Sequence, residues 1–291
     1  MISVVIPTYK NRGRLQKAVD SALSQTGVTI EVIVVDDNNP NSPERLETEG
    51  IMKVYTSDAR VRYIRHKENK NGAAARNTGI KESRGDYIAF LDDDDMFLPG
   101  KLKEQLSFME CHPEFDAVYN FAGRNGKRIG KTAYEGDVTR ELLMLNTFMQ
   151  TSCLMFRRDT ILSIGGFDES FRRHQDYEML LRFFHEGFKI GCLQQILTEM
   201  GANEGENALS GEKLEEVKKH FLGKFRPYIE EINQKEKGFA NKVYAKHYAG
   251  VFLTHLRTKR FRMAIKTFLS YFFKSPCAFM EVVNNSIKAH I

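Results

Sequence analysis

The sequence is poor in the residues that mark several protein classes. It has no tryptophan, and its four cysteines (Cys111, Cys153, Cys192 and Cys277) form no CxxC pair. We therefore expect no zinc site or disulfide framework, but four buried free thiols. No apolar run approaches the roughly 20 residues that cross a bilayer. The short apolar start at residues 2–6 has no basic leader, so we expect no signal peptide and a cytoplasmic location.

Two phosphate-binding motifs are also missing. The chain has no GxxxxGK[ST] loop and no GxGxxG segment after its first predicted strand. Their absence removes the main support for an ATPase or a dinucleotide-dependent dehydrogenase. The 291 residues, 42% hydrophobic and 28% charged, have the composition of an ordinary globular protein with one large domain or a large and a small one.

Positive charge is concentrated towards the C-terminus. The net charge is +5, yet residues 211–291 hold 16 Lys and Arg against 7 Asp and Glu, whereas residues 1–210 are net negative. Between Lys237 and Met280 there are nine basic residues and no acidic one. This asymmetry predicts a domain at 1–210 and a separate basic region at 211–291, with different partners.

The first region alternates short apolar runs with helical patterns. Strands are predicted at 2–6, 31–35, 61–64, 87–91, 117–121, 152–156 and 190–197, and helices at 12–25, 43–55, 73–83 and 176–186. This alternation predicts an α/β fold with a mostly parallel, Rossmann-like sheet flanked by helices. Ligands of such sheets bind at the carboxyl ends of the strands. Those ends carry Pro7, Thr8 and Tyr9, then Asp36 and Asp37, then Asp92, Asp93, Asp94 and Asp95.

Four consecutive carboxylates at one strand end repel each other, and either solvent or a divalent cation must offset that cost. The spacing does not fit an EF-hand loop, because counting from Asp92 places Gly100 at position 9 and Lys103 at position 12. Two alternatives remain. The cluster is a solvated acidic turn, or one or two of its carboxylates hold a hard cation together with a substrate diphosphate.

Six segments, in this order, resemble the inverting family 2 glycosyltransferases, which have the GT-A fold and use nucleotide-diphospho-sugars. They are residues 3–9 (SVVIPTY), 34–37 (VVDD), 71–79 (NGAAARNTG), 90–95 (FLDDDD) with Pro99, 165–168 (GGFD) and 174–182 (HQDYEMLLR). The resemblance implies that Pro7, Thr8, Tyr9, Asp36, Asp37, Arg76, Asp92 and Asp93 bind the donor nucleotide. One of Asp36 and Asp37, with Asp37 preferred, would accept the uracil N3–H, and Asp93 would face the ribose. Asp94 would be the principal ligand of Mn²⁺ or Mg²⁺.

The resemblance also implies that Asp176 is the catalytic base. Inverting transfer needs a group that deprotonates the acceptor hydroxyl, and a carboxylate can do so. The simpler alternative is a first-turn acid that stabilises its helix by about 0.5–1 kcal/mol. Two positions depart from the family. Gln175 stands where an acidic residue is common, and residues 200–203 (MGAN) replace a frequent Tyr-Arg-x-His segment.

The resemblance implies a metal-dependent enzyme that moves one sugar from a UDP-sugar to a glycan or lipid-linked glycan in cell-surface polysaccharide synthesis. The QxxRW motif of processive synthases is absent, which favours single transfer. A nucleotidyltransferase would need a glycine-rich first loop, which residues 7–14 do not provide. A non-catalytic partner of a polysaccharide-assembly complex with the same fold is the alternative.

The basic region is predicted to be helical at 212–234, 238–256, 260–273 and 277–289. Within it Phe261, Ala264, Ile265, Phe268, Leu269 and Phe272 form an apolar stripe beside Arg262 and Lys266. The stripe either packs on the catalytic domain or on a second copy in a homodimer, or it contacts an anionic membrane surface at the inner face of the cell membrane. No nucleic-acid recognition module is visible, so we expect no such partner.

Overall fold

The structure, a computed structural model, describes residues 1–10, 13–130, 132–201 and 209–288. It divides into two compact units. The first consists of Met1–Thr139 and Thr147–Ala202, and the second of Arg140–Asn146 and Asn203–Ile291.

The strands are β1 (Ile2–Thr8), β2 (Ile30–Asp36), β3 (Val61–Arg65), β4 (Tyr87–Phe90), β5 (Met96–Phe97), β6 (Ala117–Arg124), β7 (Lys127–Ile129), β8 (Leu154–Arg157) and β9 (Ile190–Glu199). The helices of the first unit are α1 (Leu15–Leu23), α2 (Pro43–Met52), α3 (Gly72–Glu82), α4 (Lys101–Cys111), α6 (Arg158–Ser163) and α7 (Gln175–His185). Those of the second unit are α5 (Thr139–Leu143), α8 (Gly211–Lys224), α9 (Arg226–Lys235), α10 (Phe239–Arg257), α11 (Phe261–Tyr271) and α12 (Pro276–Lys288).

The strands form one sheet in the order β3-β2-β1-β4-β8-β6-β9-β5, with β7 beside β6. β1 pairs in parallel with β2 and β4, β2 with β3, and β6 with β9, while β8 runs antiparallel between β4 and β6. The predicted α/β fold with a mostly parallel sheet and a helical C-terminal region is confirmed. The carboxyl ends of β1, β2 and β4 therefore lie side by side, as the sequence predicted.

Small residues bring α3 close to the sheet. Ala73, Ala75 and Gly79 are buried on this helix, and a Cβ on Gly79 would lie 2.2 Å from Cγ1 of Val5 in β1. Only a residue without a side chain allows this approach. The alanines and glycine of the segment at 71–79 therefore serve packing, which fixes where its polar side chains stand.

The second unit contains the helices of the basic region. The single helix predicted at 212–234 is wrong: it divides at Phe225, and Pro227 lies in the first turn of α9, where its missing N–H costs nothing. Phe279 and Ala249 lie in an apolar core that joins α10, α11 and α12. Among the described residues, no helix combines the length and apolar character needed to cross a membrane.

Three expectations need correction. Only Cys153 and Cys192 are buried, whereas Cys111 and Cys277 are exposed free thiols. The strand predicted at 152–156 starts at Leu154, because Thr151–Cys153 forms a 3₁₀ turn. The short strands β5 and β7 were not predicted, because two or three residues carry too little periodicity to be recognised.

Candidate active site

Asp36, at the end of β2, is fully buried and bound by its own chain. Its carboxylate forms an ion pair with Nε of Arg45 at 3.1 Å and accepts the Tyr63 hydroxyl at 2.5 Å. The main-chain and side-chain amides of Asn38 also donate to it, both at 2.9 Å. These contacts give Asp36 a structural role in the turn that follows β2.

Asp37, the next residue, accepts hydrogen bonds from four sides. Nδ1 of His66 lies 2.7 Å from Oδ1, and Nδ2 of Asn69 donates to Oδ2 at 2.8 Å. The main-chain N–H groups of Lys70 and Asn71 donate at 2.9 Å each. Because a carboxylate has about four acceptor sites, a nucleobase N–H reaches Asp37 only by replacing one of these bonds. Its role in base recognition stays a prediction.

The end of β1 contacts the acidic cluster directly. Oγ1 of Thr8 donates to Oδ2 of Asp93 at 2.6 Å, and the N–H of Tyr9 also bonds to that carboxyl. Pro7 is paired in register with Val35 of β2, whereas the Tyr9 ring is 46% exposed. The structure thus brings the predicted base-lining segment and Asp93 together.

Arg76 joins three of the predicted site segments. This side chain on α3 is 8% exposed, so it is not a solvated surface charge. Its Nη2 donates to Oδ1 of Asp92 at 2.5 Å, and its Nη1 donates to Oε1 of Gln175 at 2.8 Å. Gln175 in turn donates to the carbonyl of Phe171 at 2.7 Å. The uncharged Gln175 therefore binds Arg76 without neutralising it.

Asp176 lies in the first turn of α7, next to this arginine. Its Oδ1 accepts the main-chain N–H of Tyr177 at 2.9 Å. Burial raises the pKa of Asp176 to about 6, the charge of Asp92 adds to the rise, and Arg76 opposes it. A carboxyl with this pKa is ionised at neutral pH and can accept a proton at little cost, as a general base requires.

Burial also raises the pKa values of the acidic cluster. The pKa of Asp93 rises to about 7, because desolvation and the charges of Asp94 and Asp92 outweigh its bond to Thr8. The pKa of Asp94 is raised in the same way, against the attraction of Arg14, whose Nη1 lies 3.6 Å from Oδ2. Burial therefore disfavours the charged forms of Asp93 and Asp94, and a cation bound nearby would favour them.

A divalent cation fits this requirement in part. No group of three or more His, Cys, Asp or Glu side chains in the described ranges is arranged to hold a metal ion. Asp94 is half-buried and is a hard oxygen ligand. Mg²⁺ and related ions are commonly held by one or two carboxylates together with substrate phosphates. The residues therefore fit a cation completed by the substrate, not one held by protein alone.

Asp95 and Ser152 were missed as functional candidates. Oγ of Ser152 donates to Oδ2 of Asp95 at 2.6 Å and accepts the main-chain N–H of Asp92 at 2.9 Å. Oδ1 of Asp95 accepts the N–H of Gly201 at 2.9 Å. Asp95 was visible as the fourth member of the acidic run, but Ser152 lies 57 residues away and carries no local signal.

Two further motif residues clamp the segment at 165–168. Asn77 accepts the N–H of Phe167 and donates to its carbonyl, both at 2.8 Å. Arg182 donates to the carbonyl of Gly166 at 2.5 Å and pairs with Glu178 at 2.6 Å. The segments at 71–79, 165–168 and 174–182 are thus one connected structure that holds Arg76 against α7.

Of the segment at 200–203, which departs from the family pattern, the structure describes residues 200 and 201. Gly201 lies against the acidic cluster, since a Cβ there would be 2.2 Å from the carbonyl oxygen of Asp94. Asn203, the last residue of that segment, lies outside the described residues.

The sheet and the site define a GT-A fold with carboxylates at the ends of β2 and β4 and polar residues at the end of β1. The family model of Glycosyl transferase family 2 matches residues 3–165, more than half of the chain. The chain therefore belongs to glycosyl transferase family 2, which confirms the resemblance of its motifs.

Several known proteins are similar to this chain. An uncharacterized glycosyltransferase of Haemophilus influenzae is 30% identical over 192 residues, 64% of this chain and 63% of that protein. The amylovoran biosynthesis glycosyltransferase AmsB of Erwinia amylovora is 28% identical over 206 residues, 67% of each. The chain thus spans less than two thirds of the Haemophilus relative.

A solved structure supports the fold over nearly the whole chain. S. aureus TarS 1-349 in complex with UDP-GlcNAc superposes with a TM-score of 0.63 at 17% sequence identity. The match covers 93% of this chain and 91% of that one. The likeness confirms the GT-A fold and extends into the helical region.

Proposed function

We propose that this protein transfers a single sugar from a UDP-sugar to an acceptor hydroxyl with inversion at the anomeric carbon. The carrying observation is the arginine bridge: Arg76 links Asp92 of the acidic cluster to Gln175, the neighbour of Asp176. A donor-binding cluster and a candidate base with a pKa of about 6 thus belong to one site. Family membership and the UDP-GlcNAc complex of TarS support the choice of donor.

Asp176 acts as the general base in this proposal. It takes the proton of the acceptor hydroxyl while that oxygen attacks the anomeric carbon from the face opposite the diphosphate. The bond from the anomeric carbon to the diphosphate oxygen breaks, and UDP leaves with the electron pair. Arg76, held between Asp92 and Gln175, provides a fixed positive charge near the departing diphosphate.

Asp94 is the proposed ligand of Mn²⁺ or Mg²⁺, with the remaining oxygens supplied by the diphosphate and water. When bound, the cation would offset the negative charge that develops on the leaving group. Asp93 is proposed to face the ribose while Thr8 orients its carboxylate.

The uracil ring of the donor would be bound by Pro7, Thr8 and Tyr9 and by Asp37. The Asn69 amide is the most exchangeable of the donors to Asp37, because it is an exposed side chain, whereas Lys70 and Asn71 donate from the main chain and the buried His66 ring is also bound to Thr78. We therefore propose that the uracil N3–H replaces the Asn69 bond.

We propose residues 1–210 as the catalytic domain and 211–291 as a basic helical region. The acceptor is proposed to be a glycan or a lipid-linked glycan of a cell-surface polysaccharide, in line with the name of AmsB. The basic region is proposed to contact the inner face of the cell membrane, and a homodimer is the competing arrangement.

The test is calorimetric titration of UDP into the protein with and without Mn²⁺, using the wild type, Asp94→Asn and Asp176→Asn. Asp159→Asn, an exposed first-turn acid of α6, is the matched control. We expect Mn²⁺-dependent binding that Asp94→Asn abolishes and that Asp176→Asn and the control retain. Turnover, followed as UDP release from a panel of UDP-sugars, should be lost in Asp176→Asn. Absence of UDP binding in every condition would contradict the donor, and unchanged turnover in Asp176→Asn would contradict the base.

A further inference from the structure

The apolar stripe of the basic region is buried along one side of α11 and exposed along the other. On α11, Ala264, Thr267 and Phe268 face the other helices, with Ala264 and Thr267 buried and Phe268 packed against Phe252 and Phe279. The adjoining part of the stripe is open. The exposed fractions are 61% for Phe261, 60% for Ile265 and 59% for Leu269, and Phe273, in the 3₁₀ turn at Phe272–Lys274 that follows α11, is 69% exposed.

The open residues share one side of the helix. Phe261, Ile265 and Leu269 are spaced four residues apart, so they line up along one face. Arg262 and Lys266 are exposed and lie one position further round the same helix, so they border the apolar line. We name these five residues together with Phe273 the α11 outer face.

The chain segment that carries this face is strongly basic, although Glu212 of α8 lies close to Arg260, next to its first residue. From Lys237 to Met280 the chain has nine basic and no acidic residues. Glu212 of α8 pairs with Arg260, and Glu281 of α12 pairs with Lys246. These two carboxylates therefore pair with Arg260 and Lys246 and not with Arg262 or Lys266. An apolar line bordered by cations matches a surface that is anionic outside and apolar beneath, and an anionic lipid headgroup layer is such a surface.

We propose that the α11 outer face inserts Phe261, Ile265, Leu269 and Phe273 into the headgroup region of an anionic membrane, with Arg262 and Lys266 on the lipid phosphates. This inference deepens the membrane contact in the proposed function and rests on it, but it does not depend on donor chemistry.

A second copy of the chain fits this face less well. The four open side chains present on the order of 400–500 Å², below the roughly 800 Å² per partner of a stable interface. In a two-fold dimer the same patch meets itself, so Arg262 and Lys266 of both copies would lie close without acidic partners. An anionic lipid surface removes that repulsion.

Vesicle flotation tests the proposal with the full chain. The vesicles are neutral phosphatidylcholine or phosphatidylcholine with about one third phosphatidylglycerol, at two salt concentrations. We expect binding to the anionic vesicles that weakens at high salt. Arg262→Gln with Lys266→Gln should weaken binding about 25-fold, because each exposed cation contributes about fivefold. Lys81→Gln with Lys103→Gln, exposed cations of the first unit, is the charge-matched control and should change nothing.

The apolar contribution is tested by Ile265→Gln with Leu269→Gln, against Leu46→Gln, which is equally exposed at 60% on α2. We expect at least a tenfold loss for the double variant and none for the control. Absence of binding to anionic vesicles, or equal binding by both double variants and wild type, would overturn the proposal. A dimer in sedimentation that Ile265→Gln with Leu269→Gln dissociates would also overturn it. UDP titration of the same preparations separates this outcome from failure of the proposed function.

Discussion

Protonation of Asp176 should set the acid limb of the profile of kcat against pH. Burial places the pKa of this carboxyl at about 6, so it is almost fully ionised at pH 8 and about one-tenth ionised at pH 5. If Asp176 is the base, kcat should fall about tenfold between these pH values and continue to fall about tenfold per unit.

Gln175→Glu should move this limb to higher pH. The new carboxylate would add one negative charge beside Asp176 and would oppose the effect of Arg76, whose charge lowers the pKa of Asp176. This added charge disfavours the ionised form of Asp176. For a charge near the surface the expected rise is at most about one pKa unit.

The assay is UDP release from the most rapidly hydrolysed UDP-sugar between pH 4.5 and 9, with kcat and KM resolved separately. Gln195→Glu, an exposed position on β9, is the control for added charge. UDP affinity, measured over the same pH range, reports the protonation of the acidic cluster and not that of Asp176. A wild-type kcat limb near pH 4, or a limb that Gln175→Glu moves downwards, would refute the assignment.

Three further outcomes follow from the structure. Because the pKa of Asp176 is about 6 in the folded chain against a reference of 3.8, its contribution to stability is lost as pH rises through that window. Asp176→Asn should therefore raise the unfolding free energy at pH 8 by at most about 3 kcal/mol and leave it unchanged below pH 4, and equal shifts at both pH values would contradict this. Gly79→Ala, whose Cβ would meet Val5 at 2.2 Å, should destabilise by about 1–3 kcal/mol in denaturant unfolding. Gly50→Ala, a helical glycine with open space around it, should be neutral or stabilise by up to about 1 kcal/mol. Asp37→Asn turns a donor towards main-chain N–H groups and should lower Tm by several degrees, and an unchanged Tm would show that the loop after His66 does not depend on it.

Much of the fold was readable from the sequence because its signals are local. The first four strands end within three residues of their predicted positions, since each is a short apolar run followed by polar residues. The placement of the acidic residues at one sheet edge followed from parallel topology alone. The single helix predicted at 212–234 failed because a break at Phe225 interrupts a continuous amphipathic pattern.

The burial and the hydrogen-bond partners of each site residue could not be predicted from the sequence in the same way. Asp36 and Asp37 are adjacent in sequence and equally acidic, yet their partners come from residues up to 34 positions away. Ser152 reaches Asp95 across 57 residues. The outer face of α11 looked like part of one stripe, and only packing separates its buried half from its open half. Such distinctions arise in tertiary structure, which periodicity does not encode.

The partners of the carboxylates bear on the choice between the proposed catalyst and a non-catalytic scaffold. Asp36 is held by several donors, as expected for a group that maintains the fold. Asp176 instead has a pKa raised by burial, accepts the main-chain N–H of Tyr177 and lies near an arginine that pairs with Asp92. A protein that only docked on a partner would gain stability from an uncharged residue at 176. A carboxylate destabilised by burial at 176 is what the proposed general base predicts, and loss of turnover with intact UDP binding in Asp176→Asn is the result that this proposal requires.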